Sequence, residues 1–379
     1  ADVIKVDNPV GGDPTAGAPP MVGPGGVAIE RRHPEDYGIA YLKRARGKRS
    51  ITVNLKSPEG CDILRRLVER TDVLVENFRP GVAQRLGVGY DDLAPINEQL
   101  IYCAITGYGA SGPDSGFKSF DMMAQASAGA MAITGEPDGS PVKFATPMAD
   151  TIAGVHGALA IVAALHERHQ SGKGQAIDLS MVDCLFAMMM DEPLDCYPQL
   201  GLNPRQGNRT MRLSPFNAYR ASDGWLTLGV VDDSDWARLC RAIGRLELVD
   251  QPDFDCVQRR LANNEQVDAI VGGWAASQTV EQCIVTLRAH DIACSPVREP
   301  AEVMRWPHLK QRGMLQALCQ PDGTPTDAIG ANIPFQFSRS PVRHSQPAPE
   351  PGQDTDQVLA HYLKLDAAEL TALRARGVI

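Results

Sequence analysis

Apolar residues recur at two spacings along this chain, and the two alternate. Short runs that are almost wholly apolar or β-branched read as buried strands: Ala1 to Asp7, Ser50 to Leu55, Val73 to Val75, Leu100 to Ile105 and Gln175 to Ser180. Between them lie helical stretches. Pro58 to Glu69 reads as a helix with proline in its first turn. Ile152, Val155, Leu159, Val162 and Leu165 form a stripe at helical spacing, which predicts a long helix from Asp150 to about His169 with that stripe toward the core. Val182 to Met190 reads as a helix whose methionines fill core space. Strand and helix in alternation predict a parallel sheet covered by helices, an α/β fold. A buried strand at the very start also predicts a neighbour on each side, and hence elements ahead of Ala1.

Glycine and proline punctuate this pattern. Pro9 to Gly26 must be a loop, Gly172-Lys173-Gly174 a turn, and Pro193 to Gly207 a linker. A smaller α+β unit follows from about Arg209 to Pro300. It opens with a hairpin, Tyr219 to Leu228, turning at Asp223-Gly224, and continues with amphipathic helices near 235–242 and 264–274. A proline-rich run, Pro341 to Pro351, precedes a last helix.

Composition narrows the function classes. A length of 379 residues favours two domains, and a net charge of −9 argues against nucleic acid as a partner. No apolar run appears long enough to span a membrane, since Val155 to Leu165 is short and holds Gly157, and no secretory signal opens the chain. The nine cysteines form no CxxC pair and no Cys/His cluster with zinc spacing, so they read as reduced residues of a cytoplasmic protein without a metal site. Against the acidic background, Lys43, Arg44, Arg46, Lys48, Arg49 and Lys56 form a basic island, either a solvated face or a seat for nucleotide phosphates.

Several motifs carry candidate chemistry. Asp150 stands where the long apolar helix begins. There it suits an N-cap, and equally a nucleophile whose charged form the helix N-terminus favours and whose oxyanion nearby N–H groups stabilise. Gly107-Tyr108-Gly109-Ala110-Ser111-Gly112 spells a dinucleotide fingerprint, but Pro113, Asp114 and Gly116 follow it instead of a helix, so it makes a poor NAD site. Val75-Glu76-Asn77-Phe78-Arg79-Pro80-Gly81 ends a strand and opens a helix holding Arg85, a place where parallel sheets bind ligands. The histidines form no metal motif, His156 lacks an evident catalytic partner, and no serine sits in a nucleophile elbow.

Taken in order, Val3 to Asp7, Arg46-Gly47-Lys48-Arg49-Ser50-Ile51, Val75 to Gly81, Gly107-Tyr108-Gly109 with Gly112-Pro113, Asp150 before Ala153-Gly154, Gly172-Lys173-Gly174-Gln175, Gly207-Asn208 and Gly352-Gln353-Asp354-Thr355 resemble the family III CoA-transferases, the formyl-CoA and carnitine CoA-transferase group. The resemblance runs over essentially the whole chain. It implies an interlocked-ring homodimer whose chains each hold a large Rossmann-like domain built from both termini and a small α+β domain between them. The boundaries expected are 1–192 for the first part of the large domain, 193–208 for a linker, 209–300 for the small domain and 301–379 for the return to the large one. It also implies a further strand and helix before Ala1, and it differs in having Ala45 where asparagine is usual.

The resemblance makes Asp150 the nucleophile. It attacks a donor thioester, passes through an aspartyl anhydride to an aspartyl-CoA thioester, and yields CoA to an acceptor carboxylate, with acyl-CoA as a substrate and no resident cofactor. By position, Asn8, Val53, Lys56, Asn77, Phe78, Arg85, Lys118, Phe120 and Met181 are expected to line the CoA site, with Lys56, Arg85 and Lys118 at phosphates and Phe78 against adenine. The glycine loop of the formyl and oxalate enzymes is absent after Gly207-Asn208. Arg209 or Arg212, in that place, is expected to hold the far carboxylate of a dicarboxylic acid. Two alternatives stay open: an acyl-CoA racemase or epimerase, whose histidine falls at Phe120, and a CoA-binding protein without transfer activity.

Overall fold

The computed structural model describes residues 1–340, 342 and 346–379; of the proline-rich run at 341–351, residues 341 and 343–345 lie outside it. Ten elements carry the argument. In chain order they are β1 (Ile4–Asp7), β2 (Arg49–Thr52), α1 (Pro58–Val68), β3 (Val73–Glu76), α2 (Val82–Arg85), β4 (Ile101–Thr106), α3 (Asp121–Ser127), α4 (Met148–Ser171), β5 (Gln175–Ser180) and α5 (Met181–Met189). The chain is a mixed α/β protein with parallel sheets and falls into two compact units. The first holds 1–118, 154–180 and 300–379; the second holds 119–153 and 181–299.

In the first unit β1 lies parallel to β2, with Asp7 opposite Thr52, and β3, β4 and β5 form a second parallel sheet with β4 in the middle. Ser57 caps α1 by accepting the Gly60 N–H, and Pro58 fills its first turn. The inner face of α1 buries Ile63 and Leu67 with Ile51, Val53, Val358, Leu359 and Leu363. Hydrogen bonds fasten β2 to the closing Gly352–Thr355 segment, among them Ser50 N–H to Asp354 Oδ2 at 2.8 Å, Asp354 N–H to the Ser50 carbonyl at 2.8 Å, Thr52 N–H to Thr355 Oγ1 at 3.0 Å and Gly352 N–H to Ser50 Oγ at 2.9 Å. The segment is the clamp on the first sheet. At Gly174 a Cβ would lie 2.0 Å from the Leu100 carbonyl oxygen.

The long helix reverses one expectation. Val155, Leu159 and Val162 are 65%, 67% and 63% exposed, so the middle of the stripe read as core-facing points outward, while Ile152 and Leu165 at its ends are half-buried. The buried side carries small residues instead, Ala153, Gly157 and Ala164. A Cβ at Gly157 would sit 3.7 Å from Ile105 and Leu179, so it is the small side that lets the helix lie close on β4 and β5. Periodicity gave the element correctly and its inward face wrongly, because large apolar residues outweigh alanine and glycine in any such reading. The same small residues make the helix, at 24 residues, long and apolar enough to cross a membrane by length and composition, which counting only Val155 to Leu165 missed. Met188 and Met190 on and after α5 are likewise exposed rather than core filler, while Met181 is buried.

The second unit has its own core. The hairpin Phe216–Arg220 and Trp225–Gly229 turns at Asp223-Gly224 and takes Ala293–Pro296 as a third, antiparallel strand. Helices Asp233–Ala242, Asn264–Ala276 and Val280–Ala289 cover it, burying Trp236, Leu239, Val267, Val271 and Leu287. Arg260 is fully buried at the centre. It donates to the carbonyls of Ser214 and Phe254 and to Asp233, and its guanidinium lies 5.3 Å from the Trp236 ring centroid. α3 packs on α5 in this unit.

Candidate active site

Pro147 precedes a helix whose first residue is Met148, so Asp150 stands inside the first turn and is not the cap. The cap comes from elsewhere. Asp121, the first residue of α3, accepts the Ala149 N–H at 2.7 Å and the Asp150 N–H at 3.4 Å through one carboxylate oxygen. Its other oxygen accepts from Gln125 Nε2 at 2.7 Å. The buried Gln125 in turn accepts the Phe144 N–H at 2.8 Å, which holds the loop leading into α4. Thr151 closes the turn by donating its hydroxyl to the Pro147 carbonyl at 2.8 Å. Asp121 therefore serves the N–H groups of Ala149 and Asp150, and the Asp150 side chain is exposed at the positive end of the helix. Sequence reading missed Asp121, whose one signal was an acid opening a helix next to the candidate Phe120.

The remaining candidates divide between the units. In the first, Asn8 and Val53 directly follow the paired strands β1 and β2, and the Val53 N–H extends the ladder to the Asp7 carbonyl at 2.8 Å. Val53 buries its side chain in the core at 2% exposure, so only its main chain is open to a ligand. Asn8 and Lys56 are exposed on the loops that leave these strands. Asn77 and Phe78 follow β3, exposed, and the bend is held by Glu76, which accepts the Phe78 N–H at 2.6 Å and the Tyr102 hydroxyl at 3.3 Å. Burial raises the Glu76 carboxyl above the usual range, against those two hydrogen bonds. Gly81 opens α2 with φ of 81°, and the Arg85 guanidinium lies within 3.2 Å of where its Cβ would be, over the start of the helix. Lys118 is exposed at the end of the glycine loop, whose Gly109 N–H donates to Thr106 Oγ1 and whose Ala110 N–H donates to Asp178. Apart from Arg85, which ends α2, each of these residues stands just past the carboxyl end of a parallel strand or on the loop that leaves it. In the second unit Phe120 is exposed just ahead of α3, and Met181 is buried at the start of α5.

Two other expectations change. Arg209 is bound to Asp268 at 2.7 Å, and Asp268 also accepts from Asn217 at 3.0 Å and from Tyr219 at 2.6 Å. Arg212 is bound to Glu192 at 2.5 Å. Both arginines named for a substrate carboxylate already hold a carboxylate of the protein. The basic island is also partly structural. Arg46 donates to Gln316 and to the Ala331 carbonyl, and Arg49 pairs with Asp2 and Tyr362. Lys43, Arg44 and Lys56 remain its exposed cations.

A family model described as CoA-transferase family III matches residues 1–355. The chain is 36% identical to a succinate–glutarate CoA-transferase of Agrobacterium fabrum over 98% of its own length and 90% of that protein's. It is 34% identical to a succinyl-CoA:mesaconate CoA-transferase of Haloarcula marismortui, covering 93% of this chain and 85% of the relative. Among solved structures, a CAIB/BAIF family protein from Brucella suis superposes with a TM-score of 0.80 at 31% identity, covering 96% of this chain and 92% of that one.

Proposed function

The chain belongs to CoA-transferase family III and is a CoA-transferase, and we propose that it moves CoA from succinyl-CoA to a small dicarboxylic acid with Asp150 as the covalent nucleophile. The observation that carries this reading is the cap. Asp121 anchors the N–H groups of Ala149 and Asp150, and the Asp150 carboxylate is exposed in that first turn, where the helix favours negative charge. The acids in the names of the relatives, glutarate and mesaconate, support a dicarboxylate acceptor.

The reaction balances without ATP. An Asp150 oxygen attacks the donor's thioester carbonyl, the C–S bond breaks, and the electron pair leaves on the CoA thiolate. That gives an anhydride between Asp150 and the acyl group. The thiolate then attacks the Asp150 carbonyl, the donor acid departs as its carboxylate, and an aspartyl-CoA thioester remains. The acceptor runs the same two steps in reverse. Each stage exchanges one activated acyl bond for another, so no net proton is taken up.

CoA lies along Asn8, Val53 (through its main chain), Lys56, Asn77, Phe78, Arg85, Lys118, Phe120 and Met181, with the exposed cations Lys56, Arg85 and Lys118 at its phosphates and Phe78 at adenine. The same reading gives each chain a large Rossmann-like domain and a smaller α+β domain, and interlocks two chains. The outward Val155–Leu159–Val162 face of α4, about two-thirds exposed, supports such a dimer. Nine unpaired cysteines suit the reducing cytoplasm.

The test is to mix the protein with succinyl-CoA and glutarate and follow glutaryl-CoA by mass spectrometry. Its formation with release of succinate is the expected result. Deuterium uptake at the α-carbon of an acyl-CoA in D₂O, without transfer, would instead indicate a racemase.

A further inference from the structure

We propose that Arg205 is the specificity residue that holds the unreacting carboxylate of the dicarboxylic acyl group; this rests on the dicarboxylate reading above. Four buried side-chain polar atoms among the described residues lack a hydrogen-bond partner, and two of them, Nε and Nη1, are on Arg205. A guanidinium stays charged at any pH the protein meets, and leaving its buried nitrogens unmet is costly. A native protein keeps such a group where something else meets it. Arg209 and Arg212, close by in sequence, are satisfied by Asp268 and Glu192. Arg205 is the arginine of this segment with donors to spare.

Its position links it to Asp150. The Gly207 N–H donates to the Gly135 carbonyl at 2.9 Å, and a Cβ on Gly135 would lie 3.6 Å from Arg205 Cδ. The Arg205 stem therefore lies against the start of the loop that runs from Thr134 to Pro147. The far end of that loop is the entry to α4, where Phe144 is held through Gln125 and Asp121 at the first turn carrying Asp150. One loop thus touches Arg205 near its start and leads into the turn that carries Asp150 at its end. A carboxylate on Arg205 supplies the charge-assisted hydrogen bonds that its free nitrogens lack.

The test compares glutarate with pentanoate, which has the same chain length and one carboxylate fewer, in the wild type, Arg205→Met and Arg205→Lys. In a double-displacement reaction kcat/KM for the acceptor reports only the half-reaction that the acceptor enters. Arg205→Met is expected to lower kcat/KM for glutarate roughly 10- to 100-fold and to change that for pentanoate less than about threefold, the loss of a charged hydrogen bond to one end of the substrate. Arg205→Lys, a point charge in place of a planar fork, falls between the two. If Arg205→Met does not fold, Arg205→Lys carries the same comparison. An equal fall for both acids, or no fall for glutarate, overturns the assignment while leaving the transferase reading intact. A wild type that transfers CoA to pentanoate and not to glutarate overturns the dicarboxylate reading itself, and Arg205 with it.

Discussion

The carboxylate of Asp121 accepts the main-chain N–H of Asp150 at 3.4 Å, along with that of Ala149 at 2.7 Å, so one acid anchors the helix turn on which the other stands. Removing the anchor should cost both stability and rate. Asp121→Ala is expected to lose about 1 kcal/mol, the usual worth of an N-cap, and Asp121→Asn much less, because the amide oxygen still accepts. Calorimetric unfolding of the two variants checks the order. Since the anchor holds the turn and does not react, both should keep the ability to form a covalent CoA adduct, more slowly.

Glu76 gives a pH-dependent prediction. Its folded-state pKa is raised by burial, so folding favours its protonated form. The stability tied to that protonated form is fully present below the ordinary carboxylate value, 4.5, and is lost as pH rises through the higher folded value. At neutral pH the charge on Glu76 therefore works against the fold. Glu76→Gln should be more stable than the wild type at pH 7, with the advantage shrinking as pH falls through the raised folded value and lost below 4.5. Urea unfolding at both pH values measures it; an advantage independent of pH would remove burial of the charge as its cause.

The outward face of α4 bears on assembly. Val155, Leu159 and Val162 are exposed together on one helix. In the proposed dimer, with this face as the contact, Leu159→Asp leaves an unpaired buried charge, which such interfaces do not tolerate. Leu159→Asp is expected to convert a dimer to monomers with an unchanged far-ultraviolet spectrum. Sedimentation velocity reads the outcome, and an unchanged dimer would move the interface elsewhere.

That face also shows where the sequence was legible and where it was not. Strands β2, β3, β4 and β5 announced themselves as short apolar runs between breakers, and the hairpin at Asp223-Gly224 by its turn residues. Asp150 was visible as an acid at a helix start. The direction of α4 was hidden, because Gly157 and Ala164 mark a buried face only by what presses against them. Asp121 and Gln125 were hidden for a related reason: a cap donated from another helix has no spacing in the sequence. The ion pairs of Arg209 with Asp268 and Arg212 with Glu192 were hidden too, because charge alone does not tell which carboxylate an arginine meets.

Covalent transfer through Asp150 is the central claim, and intact-mass spectrometry after incubation with succinyl-CoA tests it most directly. The wild type should gain the mass of CoA less one water, the difference between a carboxylic acid and its CoA thioester, and Asp150→Ala should gain nothing while binding CoA as before. A CoA adduct that persists in Asp150→Ala, or turnover by Asp150→Ala at the wild-type rate, would contradict it.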